Sequence, residues 1–429
     1  MKKIALITLI VAFGIMTNAQ NESEKDNLHS DLSTTWHEVQ KLLKPDEAVI
    51  EFVTYCPDNT QQTGSVLYAA LVLRPDMDTP VRIPLCEEKD LQALFDRTDN
   101  RFNVDRQKTY ILYNIYGNEL YNLIWQPLEK ELADVEHIYY SPVGLLHKIA
   151  FSALRAEKNE KFLLDKYNLR LVLGTHEIVR LSNETTLSLL QDTVVVYGGL
   201  TYDTPFDAER QSGLLGAWQY LYSTKIETEE IIKLLESRHI PYKYYTEDQG
   251  TEESFKRLSG KNTALIHVST HSYFLPDIIR RLGGDQENLM LASALIMSGA
   301  NNQWLAKEII IDEDREDGIL TADEISRLNL KNTKLAVLAG SETGLGYVTD
   351  EGVVGLQRAF KLAGVESLIM SLWEVSDTAT QIMMIAFYEN WLGGKTKQEA
   401  FRIAQKTVRE YVEFDYSSPY YWAAFVMMD

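Results

Sequence analysis

Leu265–Phe274 reads LIHVSTHSYF, and Leu335–Gly346 reads LAVLAGSETGLG. Each begins as a short uncharged apolar run and passes directly into a polar loop. Such runs fit parallel strands covered on both faces, whose carboxyl ends deliver side chains to a ligand or a reaction. The first delivers His271; the second delivers Ser341, followed by Glu342, Thr343 and Gly344. A base and a hydroxyl at the ends of two such strands meet the needs of nucleophilic catalysis. A plainer reading is also open, with Ser341 capping a helix and His271 an ordinary polar loop residue. His267 falls short of the edge that His271 reaches and is expected in the core.

Around this pair the chain alternates between strand and helix patterns. Strands are expected at Thr193–Tyr197, Thr263–Ser269, Ala294–Met297, Leu335–Ala339 and Ser367–Met370. Helices are expected at Ile226–Arg238, Thr251–Leu258, Thr321–Leu328, Val353–Ala363, Asp377–Trp391 and Lys397–Tyr411. The alternation implies an α/β fold, a mostly parallel sheet with helices on both faces. Upstream, Ala48–Tyr55, Ser65–Leu73 and Val81–Leu85 read as an antiparallel meander with a loop at Pro57–Gly64. His137–Ser141 reads as a further strand. A boundary near Leu181–Asp192 divides a smaller α/β part, 48–185, from a C-terminal part, 186–429.

The N-terminus is a basic Met1-Lys2-Lys3, the apolar run Ile4–Met16 and small residues before Gln20, so residues 1–19 read as an export signal cut after Ala19. Residues 20–47 form a polar segment and a short lead-in helix, opened by the capping-box pair Thr35 and Glu38. Nothing later in the chain resembles a membrane span. The formal net charge is −20 and no Lys/Arg cluster stands out, which argues against nucleic acid or an anionic membrane as partner. Cys56 and Cys86 are the two cysteines; in an exported chain they permit a disulfide and equally a buried free thiol. They supply no zinc pattern, and no metal or cofactor is expected. Asp312–Glu324 tempts a calcium reading, but Asp317 stands where the loop needs glycine. Gly340-Ser341 is no nucleophile elbow, since Ala339 and Thr343 occupy the glycine positions.

A resemblance joins these observations. YYSPVGLLHKIAFSAL, VVVYGGLTYD, LIHVSTH, DGILTADEI, LAVLAGSETGLG, GVVGLQRAFKLAGVESLIMSLWEVSDTAT and YYWAAFVMMD, in that order from Trp36 to the end, resemble the CHAT family of caspase-like peptidases, relatives of separase. The resemblance implies a caspase-like three-layer fold preceded by a smaller pseudo-catalytic α/β part. It implies peptide or protein substrates, with His271 as the histidine and the backbone N–H groups of Ser272 and Ser341 as oxyanion donors. Family members carry glycine after the histidine and cysteine as nucleophile; here Ser272 and Ser341 stand in those places. A left-handed backbone kept at Ser272 would cost roughly 1 kcal/mol. A serine nucleophile in a site built for cysteine implies weak or absent peptidase activity. Leu372–Thr378 (LWEVSDT) resembles the separase segment that lines the primary pocket, making Asp377 and then Glu374 candidate carboxylates for an Arg or Lys of the substrate. Asp377 equally suits a helix cap.

Overall fold

The computed structural model describes residues 35–56, 65–99, 104–156, 161–181, 193–203, 217–275, 286–306, 316–349 and 352–429. The expected leader 1–19, most of segment 20–47, the loop 57–64, nearly all of the boundary 181–192 and the start of the acidic loop lie outside these residues. Among the described residues no helix is long and apolar enough to cross a membrane. The chain forms two compact units: residues 1–186 with 348–352 and 428–429, and residues 187–347 with 353–427.

In the first unit, strands Val81–Glu87, Leu67–Leu73, Glu47–Tyr55, His137–Ser141 and Asn168–Leu171 lie side by side in that order. The first three are antiparallel and the last three parallel. Apolar runs such as Ala48–Ile50 and Ala69–Val72 place the core on this sheet. Phe52, Trp125, Tyr140, Tyr167 and Phe151 form a buried aromatic cluster. The C-terminal residue Asp429 is fully buried, its carboxylate 2.6 Å from Arg170 Nε. Ile111–Ile115 forms a π-helical turn that runs into helix Gly117–Ile124.

The two cysteines do not pair. Tyr55 lies opposite Leu67, and Leu67 opposite Glu87, so Cys56 and Cys86 are separated by an intervening strand. Two strand spacings come to about 9–10 Å, beyond the roughly 7 Å limit for a disulfide. Both are free, Cys56 exposed and Cys86 buried.

In the second unit, strands Ser367–Ser371, Leu335–Leu338, Thr263–Val268, Thr193–Leu200 and Tyr242–Glu247 run parallel in that order. Every residue of the first three is buried, as continuous apolar runs dictate. Helix Asp377–Leu392 packs against both Tyr222–Ser237 and Lys397–Arg409, and Ala322–Ser326 packs against Leu356–Leu362. The capping box at Thr321 forms, its N–H donating to Glu324 Oε2 at 2.8 Å.

Two expectations change. The stretch after the parallel strand, which ends at Val268, is not all loop: Ser272–Phe274 is a short strand in a separate antiparallel sheet with Ser293–Ile296 and Ile319–Thr321. The segment expected as Ala294–Met297 therefore belongs to that small sheet and not to the parallel one. His267 is fully buried in the core, with Nε2 2.9 Å from Glu227 Oε1 and Nδ1 3.1 Å from the Tyr388 hydroxyl. Ser269 donates its hydroxyl to the same carboxylate.

Candidate active site

The histidine and serine strands share one register. Leu265 pairs with Leu335, Ile266 with Ala336, His267 with Val337 and Val268 with Leu338. The alignment persists past the last bridge, where Ala339 N–H donates to the Val268 carbonyl at 2.8 Å. Beyond it the two turns stay in contact, the Ser272 hydroxyl meeting the Ser341 main-chain carbonyl, so His271 and Ser341 lie on neighbouring turns. The two chain ends run so close that a Cβ on Gly340 would stand 2.6 Å from the Thr270 carbonyl oxygen. Only glycine fits there.

Ser341 lies on a turn held by its neighbour strand. The Ser371 hydroxyl donates to the Gly340 carbonyl at 2.6 Å, and Thr343 Oγ1 accepts from Ser371 N–H at 2.8 Å. Glu342, next in sequence, takes a left-handed φ of 58°. No helix starts at this turn, so Ser341 caps nothing.

His271 is half-buried, and its Nε2 lies 2.7 Å from the Gln219 carbonyl oxygen. A carbonyl can only accept, so Nε2 carries the proton and Nδ1 is left as the acceptor of the neutral imidazole. Tyr202 and Trp218 flank the ring, with centroids at 5.1 and 5.0 Å. Burial lowers the His271 pKa below its ordinary value; the Gln219 carbonyl and the Asp377 charge oppose that shift. Among the described residues no hydrogen bond joins His271 to Ser341. The Ser341 Oγ instead accepts from Val375 N–H at 3.2 Å.

Ser272 differs from expectation. It is not among the residues with left-handed φ, so the expected backbone penalty is absent. The ladder bonds of its small sheet fall on His271, whose carbonyl accepts from Ile296 N–H, and on Leu275, whose N–H donates to Ala292. Alternation along an antiparallel ladder then turns the intervening Ser272 N–H away from the ladder. The Ser272 hydroxyl donates to the main-chain carbonyl of Ser341.

The CHAT domain family model matches residues 114–429. This chain belongs to the CHAT domain family. A 110-residue stretch of the CHAT chain is 36% identical to tetratricopeptide repeat protein 28 of Homo sapiens and equally to that of Mus musculus, covering 26% of this chain and 4% of each relative. The chain thus spans a small fraction of these relatives' length. Its structure resembles Saccharomyces cerevisiae separase as solved in complex with securin, with TM-scores of 0.52 and 0.51 in two crystal structures at 11% and 12% identity. These cover 99% of this chain and 32–33% of that chain. At that identity the likeness shows the fold, which is caspase-like.

Within the CHAT domain, Glu374 and Asp377 are both exposed and flank Val375, whose N–H meets Ser341. Ser376 is the helix N-cap and Asp377 the first helical residue, so Asp377 is not itself the cap. Its charge reaches His271. Gln219, Trp218, Tyr202 and Val375 also belong to the site. Gln219 and Val375 act through main-chain atoms, which leave no side-chain signature in a sequence. Among the described residues, Asp46, Glu136 and His137 of the first unit bring ligand atoms within 4.8 Å of one another on a partly exposed surface.

Proposed function

We propose that the chain is an exported caspase-like peptidase domain in which His271 serves Ser341 as base, weak or inactive as it stands, with a preference for a basic residue at the cleavage point. The carrying observation is the close approach of the two turns that follow the paired strands, one bearing His271 and the other Ser341. In the step it supports, Ser341 Oγ attacks the scissile carbonyl carbon while its proton passes to His271 Nδ1, Nε2 staying bonded to Gln219. The new oxyanion lies against the N–H groups of Ser272 and Ser341. On collapse the C–N bond breaks and the departing amine takes the proton from Nδ1; water then hydrolyses the ester by the same route. A hydroxyl, unlike a thiol, is not ionised near neutral pH and needs a closely placed base. The resting hydroxyl is turned to Val375 N–H, which supports low activity. Asp377, exposed and electrostatically close to His271, supports recognition of Arg or Lys.

A second reading has its own support. Both serines that replace family residues are engaged inside the chain, Ser272 with the Ser341 carbonyl and Ser341 with Val375. A non-catalytic domain that binds peptides or a protein partner in the same cleft fits that engagement, and separase itself was solved with securin. Treatment with a serine-directed fluorophosphonate decides between the two readings. Labelling at Ser341 supports the peptidase; an unlabelled protein that still binds peptide supports the binding module. Export rests on the leader sequence, and N-terminal sequencing of secreted protein should begin at Gln20.

A further inference from the structure

Asn301 is fully buried and heads the short helix Asn301–Ala306. Its side-chain amide grips Trp218 at both main-chain atoms: Trp218 N–H donates to Oδ1 at 2.8 Å, and Nδ2 donates to the Trp218 carbonyl at 3.0 Å. The second Nδ2 proton goes to Asp203 Oδ1 at 2.7 Å, and the Asn301 main-chain N–H donates to the Tyr202 carbonyl at 3.0 Å. One residue thus holds the main chain of both aromatic walls of His271, and the next peptide after Trp218 carries the Gln219 carbonyl that receives His271 Nε2. Among side chains of this length only asparagine pairs a donor and an acceptor in one plane.

We infer that Asn301 is a positioning residue that fixes the tautomer and aim of His271 by clamping the Trp218–Gln219 peptide. The inference rests on the proposal that His271 is the base of this site. Without the clamp the Gln219 carbonyl is free to drift, the imidazolium loses an acceptor, and a nucleophile at 341 loses its ionised partner.

The test uses the full chain carrying Ser341→Cys, with Cys56→Ser removing the exposed native thiol. Iodoacetamide labelling at position 341 is followed against pH, with folding checked by circular dichroism. Adding Asn301→Ala should slow labelling at pH 7 by about tenfold and move the pH midpoint upward. In a His271→Ala background Asn301→Ala should change nothing further, a non-additivity that a general loss of stability does not produce. If His271→Ala leaves the profile unmoved, the base reading itself is wrong. If His271→Ala moves it and a folded Asn301→Ala does not, the clamp alone is refuted. Should Asn301→Ala not fold, Asn301→Asp decides: it keeps the acceptor for Trp218 N–H, and a smaller shift in the same direction supports the clamp while an unshifted profile overturns it.

Discussion

The Ser272 hydroxyl donates to the main-chain carbonyl of Ser341, tying the residue after His271 to the proposed nucleophile. Where relatives are expected to carry glycine, this chain has a side chain that bridges the two loops of its own site. Ser272 sits in ordinary strand geometry. Replacing it by glycine therefore relieves no strain.

Ser272→Gly should accordingly destabilise the protein by about 1–2 kcal/mol, from a lost hydrogen bond and a more flexible unfolded chain. Urea unfolding checks this through a lower midpoint at unchanged slope. A variant more stable than the native chain would restore the strained-backbone view.

Much of the second unit was legible in the sequence because its central strands are buried on both faces and read as uninterrupted apolar runs. Tyr242–Glu247 escaped that reading: YKYYTE lies at the end of the strand order, with Lys243 and Glu247 exposed and no residue buried. An edge strand keeps polar residues to discourage further pairing, which erases the apolar signal. Ser272–Phe274 escaped as a strand because three residues are too few to show a period and the loop around them is polar. In the site, His271 and Ser341 were visible as side chains at strand ends. The Gln219 and Val375 contributions, being main-chain, were not.

The Asp377 charge favours the protonated form of His271, against the burial that lowers its pKa. Asp377→Asn should therefore move the His271 titration, followed by NMR, to still lower pH. It should also weaken binding of an Arg-containing peptide relative to its Ala counterpart. An unmoved titration with unchanged peptide preference would take Asp377 out of the site.

Glu51 gives the first unit a pH dependence of its own. Burial pushes its carboxyl up to about 7 from the usual 4.5, against the pull of Thr175 and Ser141. Between those values the folded chain keeps a proton that the unfolded chain gives up, so this residue's contribution to stability falls as pH rises from about 4.5 to about 7. Glu51→Gln, which can still accept from Thr175 N–H, should gain on the order of 1–3 kcal/mol over the native chain at pH 8 and little at pH 4. Denaturant melts at the two pH values check it; equal differences at both would show that Glu51 titrates normally.

The proposed pairing of His271 with Ser341 is tested most directly by cleavage of an Arg-containing peptide by Ser341→Cys, with and without His271→Ala. The thiol should create or greatly raise cleavage, and loss of His271 should lower it again by about 10²–10⁴-fold. A thiol at 341 that reacts with iodoacetamide yet neither cuts nor binds the peptide, with Ser272 intact or replaced by glycine, would contradict the peptidase account.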